Sequence, residues 1–238
     1  MIKLDDVSFS YTSHNKLFNH LSLRLEQNGI CGLLGKNGSG KTTLLKLLAG
    51  LIFADEGDIQ VMGRSPKMRN PHFLGDLYFL PEDLYVPVLT GEQYIKFYAP
   101  FYPQFDHTLM QKSLVEFDLS PKQLLTKFSY GQKKKFLIAF GLATNCSLLI
   151  MDEPTNGLDI PSKTQFRKLV ASIISDEKLY IISTHQVHDV EKLIDTIVIL
   201  NDGKIIYQQP IIEQESRIDL ENLFNNVVTQ PVQASQYV

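Results

Sequence analysis

The segment "GKNGSGKT", Gly35 to Thr42, has the spacing G-x-x-x-x-G-K-[ST] and lies between an apolar strand-like run and a helical one. That setting separates a phosphate loop from an ordinary glycine turn. Gly35, Gly38 and Gly40 allow backbone angles and close approaches that a β-carbon would block. The amides of the loop, with Lys36, Asn37, Ser39 and Thr43 among the residues expected to bind nucleotide, can then wrap phosphate oxygens at the positive end of a helix dipole. Lys41 is placed to reach the β- and γ-phosphates, and Thr42 to set its hydroxyl on Mg²⁺.

Further along, "SLLIMDEP" ends an apolar strand in two adjacent acids, Asp152 and Glu153. Open parallel sheets bind ligands at the C-terminal ends of their strands. Asp152 therefore suits a Mg²⁺ role through a water, and Glu153 can orient or deprotonate a water attacking the γ-phosphate. Two solvated acids before a proline turn are the bland alternative, and the phosphate loop in the same chain weighs against it. A third stretch, "FSYGQKKK", opens a helix at Ser129 and Gln132. A helix head is a second ready anion site, yet it lies far along the chain from the phosphate loop.

These groups need a frame. Residues 1–30 read as antiparallel strands, with Leu21, Leu23 and Leu25 alternating with polar neighbours and Asn28-Gly29 as a tight-turn pair. "ICGLL" reads as a buried strand, and Leu44, Leu45, Leu48, Leu51 and Ile52 share one face of the helix after the loop. From Thr90 to Asn145 the pattern is helical, with capping boxes at Thr90/Gln93, Ser120/Gln123 and Ser129/Gln132. Strands return at 147–151, 179–183 and 196–200, separated by helices near 162–175 and 186–194, and Asn201-Asp202-Gly203 turns a hairpin into "KIIYQ". Such alternation argues a parallel sheet covered by helices. The expected organisation is one domain over 1–228, with a core and β subdomain in 1–89 and 146–228. A helical subdomain in 90–145 is inserted, and a polar tail runs over 229–238.

Composition bounds the rest. Hydrophobic residues make up 44% and charged ones 21% of 238 residues, ordinary for a chain with a real core. A net charge of −3 gives no reason to expect nucleic acid as a partner. Two cysteines, Cys31 and Cys146, make neither a disulfide framework nor a zinc spacing, so a reducing cytosol fits. No run of 18 apolar residues appears and the start lacks signal-peptide form. The expectation is a soluble chain whose membrane role, if any, comes through a partner.

Taken together, the motifs resemble the ATP-binding-cassette (ABC) ATPases over residues 1 to about 225, in that family's order. The resemblance implies an α/β fold: a P-loop NTPase (RecA-like) parallel-sheet core with an N-terminal antiparallel β subdomain and an inserted α-helical subdomain. It makes Gly35 to Thr42 the Walker A loop, "LLIMDEP" the Walker B strand with Glu153 as the catalytic glutamate, and Asn156 to Asp159 the D-loop. His185 becomes the switch histidine and Tyr11 the ring that stacks on adenine. "FSYGQ" becomes the signature motif, through which Ser129, Gly131 and Gln132 touch ATP held by a second subunit. The implied partners are a second copy or a paralogous ATPase subunit, with two ATP molecules between them, and transmembrane permease subunits. The implied location is cytoplasmic, peripheral on the inner face of the cell membrane. Two departures stand out: Tyr130 replaces the signature's first glycine, and Glu82, in "YFLPED", holds the place of the Q-loop glutamine that touches Mg²⁺. A carboxylate can also ligate Mg²⁺.

Lesser signals have plainer readings. Lys133 to Lys135 read as a solvated face. His185 and His188 lack a third ligand for a metal, which leaves His188 on the surface. The aromatics of "EQYIKFYAPFYPQF" read as core of the helical lobe, with some left to dock a partner. The short "YFLPED" loop and compact length look like ATPases of small bacterial exporters of the ABC-2 type. The alternative is an ABC-type ATPase acting on ribosomes or DNA, which a single cassette without heptads disfavours. A nucleotide sensor without turnover is disfavoured by the presence of Lys41, Asp152, Glu153 and His185.

Overall fold

The computed structural model describes residues 2–12, 15–174, 177–211 and 220–229. β1 (Ile2–Thr12) and β2 (Asn15–Leu25) pair antiparallel, from Ile2 opposite Leu25 to Thr12 opposite Asn15. Asn28-Gly29 does not close a hairpin after them. Gly29 has φ +100° but opens β3 (Gly29–Leu34), which leaves for a second sheet, and a β-carbon there would meet Asp195 Oδ2 at 2.5 Å. The free edge of β1 is taken by β4 (Glu56–Val61). Only Ile59 and Val61 of β4 are buried, too sparse an alternation to mark a strand in the sequence.

The second sheet has six strands. Its order is β5 (Leu77–Leu80), β6 (Leu148–Asp152), β7 (Leu179–Thr184), β3, β8 (Thr196–Asn201), β9 (Lys204–Pro210). All neighbours are parallel except β8 and β9, which the turn at Asp202 and Gly203, both with positive φ, folds into a hairpin. Parallel neighbours require crossovers, and helices supply them. Because β3 lies beside β7 and β6 beside β7, with Leu34 opposite Thr184 and Asp152 opposite Ser183, the ends of all three strands meet on one edge.

Strand side chains alternate faces, and two cores follow. One face carries Cys31, Leu33, Ile150 and Ile181 against α1 (Lys41–Leu48) and the three-stranded sheet. The other carries Ile30, Leu34, Met151 and Ile182 against α5 (Tyr130–Ala143) and α6 (Ile160–Ile173). Burial raises the thiols of Cys31 and Cys146 to about 12. Leu51 departs from the expected apolar face: α1 stops where Gly50 turns left-handed at φ +66°, leaving Leu51 half exposed.

A one-turn α2 (Pro71–Leu74) precedes β5, and between β5 and β6 run the helices α3 (Gly91–Tyr98), α4 (His107–Glu116) and α5. Thr90/Gln93 and Ser129/Gln132 form reciprocal capping boxes. Ser120/Gln123 does not. The carbonyls of Pro121 and Gln123 instead accept from the Glu92 and Gly91 amides, so this segment serves the open head of α3 rather than starting a helix. The helix expected near 186–194 is a single 3₁₀ turn, Val187–Asp189. Thr229 closes α7 (Leu220–Thr229), and the rest of the expected polar tail lies outside the described residues.

Candidate active site

Gly40, at φ +107°, caps α1 with a left-handed residue that turns the loop's amides toward the strand ends. Gly35 is held tight: a β-carbon would meet the Leu200 carbonyl and Ser39 Oγ, each at 2.5 Å. Ser39 Oγ is buried and without a hydrogen-bond partner among the described residues. A glycine cradle and a buried hydroxyl without a partner are what a phosphate would complete. Lys41 Nζ donates to the carbonyls of Gly35 (2.7 Å) and Lys36 (3.2 Å), spanning the loop it serves.

The carboxylates arrive as the strand end predicts. Asp152 is fully buried, and its two oxygens accept from Thr42 Oγ1 at 2.7 Å and from Ser183 Oγ. This joins a phosphate-loop hydroxyl to a strand-end carboxylate, an all-oxygen donor set suited to a hard cation such as Mg²⁺. Glu153 has φ +47°, left-handed for a residue with a side chain. Its amide donates to both the carbonyl (3.2 Å) and the Oγ (3.1 Å) of Ser183. Its Oε1 lies 3.4 Å from Lys41 Nζ and 3.0 Å from His185 Nδ1. Residue 153 is thereby aimed back at the loop instead of continuing the strand.

Lys41, Thr42, Glu153 and His185 line a cleft of about 600 Å³ with Tyr11, Asn37, Gly38, Gly40 and Glu82, whereas Gly35, Lys36, Ser39 and Asp152 are not part of its lining. The Tyr11 ring is 62% exposed, packs edge-on against Phe9 and shares a 3.0 Å hydrogen bond with Thr43 Oγ1. An exposed ring pinned by its hydroxyl suits stacking on a base. Thr43 thus spends its hydroxyl on Tyr11. Glu82 Oε1 accepts from Asn156 Nδ2 at 2.9 Å. Ser129, Gly131, Gln132 and Asp159 do not line the cleft. Ser129 lies exposed at the head of α5, and Asp159 caps α6 by accepting from the Ser162 amide at 2.9 Å; the Ser162 side chain first and then this amide lower the pKa of Asp159.

Two residues, Ser183 and Lys134, escaped the sequence reading as parts of the site. Ser183 holds both acids, but a serine at a strand end carries no signal of its own. Asn156 was legible only as part of the D-loop. Lys134 corrects the expected solvated lysine run: it is fully buried, and its ammonium donates to the carbonyls of Glu153 (2.7 Å) and Asn156 (2.9 Å). Burial lowers its pKa to about 8, although Glu82, Glu153, Asp152 and Asp83 pull it upward. The available signal was its place four residues before the buried Ile138. His188 is on the surface, its Nδ1 3.6 Å from Glu191.

Tyr130, the signature's departure, turns into its own chain. Its hydroxyl donates to the Glu82 carbonyl at 3.0 Å, and its ring covers Gly157, where a β-carbon would lie 2.8 Å from Cε1 at φ +76°. Gly157→Ala should therefore cost about 2 kcal/mol by urea unfolding, combining a left-handed alanine with a clash. In a Tyr130→Gly background, the same substitution should cost only the backbone part, about 1 kcal/mol.

Comparison with known proteins agrees with this geometry. The pattern of the "ABC transporter" family matches residues 18–156. The lantibiotic transport ATP-binding protein SrtF of Streptococcus pyogenes is 30% identical over 229 residues, covering 96% of this chain and 97% of its own. The SkfA peptide export ATP-binding protein SkfE of Bacillus subtilis is 33% identical over 193 residues, 79% of this chain and 80% of its own. Among solved structures, the dimeric post-hydrolysis ATP-binding cassette MJ0796 bound to ADP and Pi superposes with a TM-score of 0.78. It shares 20% identity, over 89% of this chain and 99% of that one. At that identity the likeness speaks to fold, and the fold is the cassette's. Sequence, architecture and cleft converge: this chain belongs to the ABC transporter family, as an ATP-binding and ATP-hydrolysing subunit.

Proposed function

We propose that two copies of this chain, or one copy and a paralogue, close head to tail on two ATP molecules and drive separate transmembrane permease subunits, in the direction of export. The observation that carries this reading is the head of α5. Ser129 and Gly131 lie outside the cleft of their own chain, so an ATP bound by this helix head would arrive with another subunit. The dimeric state of the solved cassette supports the pairing, and the name of the peptide-export relative supports the direction. The transport names of the relatives disfavour action on ribosomes or DNA.

Within each site, the amides of Gly35 to Thr43 and the Lys41 ammonium hold the triphosphate, and Tyr11 stacks on adenine. Thr42 and Asp152, with Glu82 nearby, would hold Mg²⁺, which when bound neutralises charge across the phosphate oxygens. Glu153 takes the proton of the attacking water at its carboxylate. His185, bonded to that carboxylate, keeps it aimed and faces the γ-phosphate. ATP touches both subunits only in the closed pair, so binding energy becomes closure, and hydrolysis releases it.

No helix among the described residues is long and apolar enough to cross a membrane. We place the chain at the inner membrane face through its permease. Tyr94, Tyr102 and Phe105 pack into the core, whereas Tyr85, Phe97 and Phe101 are exposed and available for that docking. We assign 1–89 and 146–228 to the catalytic core with its β subdomain, and 90–145 to the helical subdomain that carries the signature motif. Two measurements test it. Tagged chain should co-purify with membrane proteins, and recovery with ribosomes or DNA instead would overturn the transport role. Chelating Mg²⁺ should lower turnover at least about 100-fold, and undiminished turnover with chelator would remove the metal from the site.

A further inference from the structure

Lys134, beneath the head of α5, has no part in the reaction as described above. An ammonium is kept in a protein interior only where acceptors are supplied, and those of Lys134 are specific: the main-chain carbonyls of Glu153 and Asn156. Glu153 is left-handed, a conformation that persists when the surroundings over-determine it. The residue is gripped at its amide by Ser183 of β7 and at its carbonyl by Lys134 of α5. The loop carrying Glu82 joins the same cluster, since its carbonyl accepts from Tyr130 and its carboxylate from Asn156. The Lys134 ammonium also lies 5.3 Å from the centre of the Tyr130 ring.

We propose that Lys134 is a positioning residue: by bonding the carbonyls of Glu153 and Asn156, it fixes the left-handed Glu153 backbone to the signature helix, so that α5 as well as β6 sets the aim of the carboxylate. This rests on the reading of Glu153 as the group that takes the water's proton. A lysine that merely filled a gap would affect stability and nothing else. One that aims Glu153 must affect the chemical step and spare nucleotide binding, because no bond of Lys134 reaches the phosphate loop.

The test uses the full-length chain as wild type, Lys134→Met, Lys134→Gln and Glu153→Gln. Steady-state ATP hydrolysis, equilibrium binding of a fluorescent ATP analogue and thermal melting are measured on each. Lys134→Met should lower kcat about 10- to 100-fold, the scale of a small misplacement of a reacting group. KM and analogue affinity should stay within about threefold of wild type. Lys134→Gln, whose amide can restore one of the two carbonyl bonds, should recover part of the loss. Should Lys134→Met not fold, Lys134→Gln carries the test with kcat lowered and KM held. The inference is overturned by wild-type kcat in a folded Lys134→Met, by a loss that falls on KM and analogue binding, or by no recovery in Lys134→Gln. Glu153→Gln separates the two levels: if it turns over like wild type, the reading of Glu153 itself fails. If it is inactive while Lys134→Met is not, only the role of Lys134 fails.

Discussion

Glu153→Gln is expected to lower kcat about 10³-fold while leaving ATP affinity nearly unchanged, and to make ATP hold two copies together long enough to see by light scattering after gel filtration. The amide cannot take a proton from water, and a positioned general base contributes on the order of 10² to 10⁴. Binding should persist because the triphosphate cradle is built from the loop and Lys41, not from residue 153. Removing the carboxylate also removes a negative charge 3.4 Å from Lys41 Nζ, which favours the polyanion. Ser129→Arg in the same background should abolish the ATP-dependent pair, because it fills the α5 head that the second subunit's ATP must reach. A pair that still forms would place the interface elsewhere. ATP bound by a chain that stays single would mean that a paralogue or the permease completes the site.

Lys41→Ala should have the larger effect on binding, lowering kcat/KM by at least about 10³ and weakening ATP affinity at least about tenfold. The ammonium is buried and donates to two loop carbonyls, so truncation removes both the ion for the β- and γ-phosphates and the strut that shapes the loop. It also removes the cation that lies 3.4 Å from the Glu153 carboxylate. Measuring kcat/KM and analogue affinity together distinguishes this from the Glu153 phenotype. Near-wild-type turnover in purified Lys41→Ala would overturn the assignment.

What could be read from the sequence was whatever local chemistry decides. The phosphate loop, the acids at the end of β6 and the boxes at Thr90 and Ser129 obey spacing rules internal to a few residues, and each lies where those rules put it. Ser120 and Gln123 satisfy the same rule and fail, because α3 claims the nearby carbonyls for its own amides. β4 and β5 are short and become strands only because a neighbour's edge is open. Lys134 stood in a run of like charges, and only the packing of α5 on the residues after β6 shows that the middle lysine points inward. In the site, the phosphate loop and the two acids were legible, and Ser183 and Lys134, which hold residues 152 and 153 in place, were not.

The burial of the two native thiols bears on how the motion could be watched. With their pKa values near 12, only about one part in 10⁵ of either thiol is thiolate at neutral pH. Both are shielded from solvent as well. A single cysteine placed at Val115, which is 80% exposed on α4, would therefore take a maleimide dye or spin label without prior removal of Cys31 or Cys146. Distances between two such labels across a pair would then follow opening and closing in real time, in a chain whose interior has not been altered for the purpose.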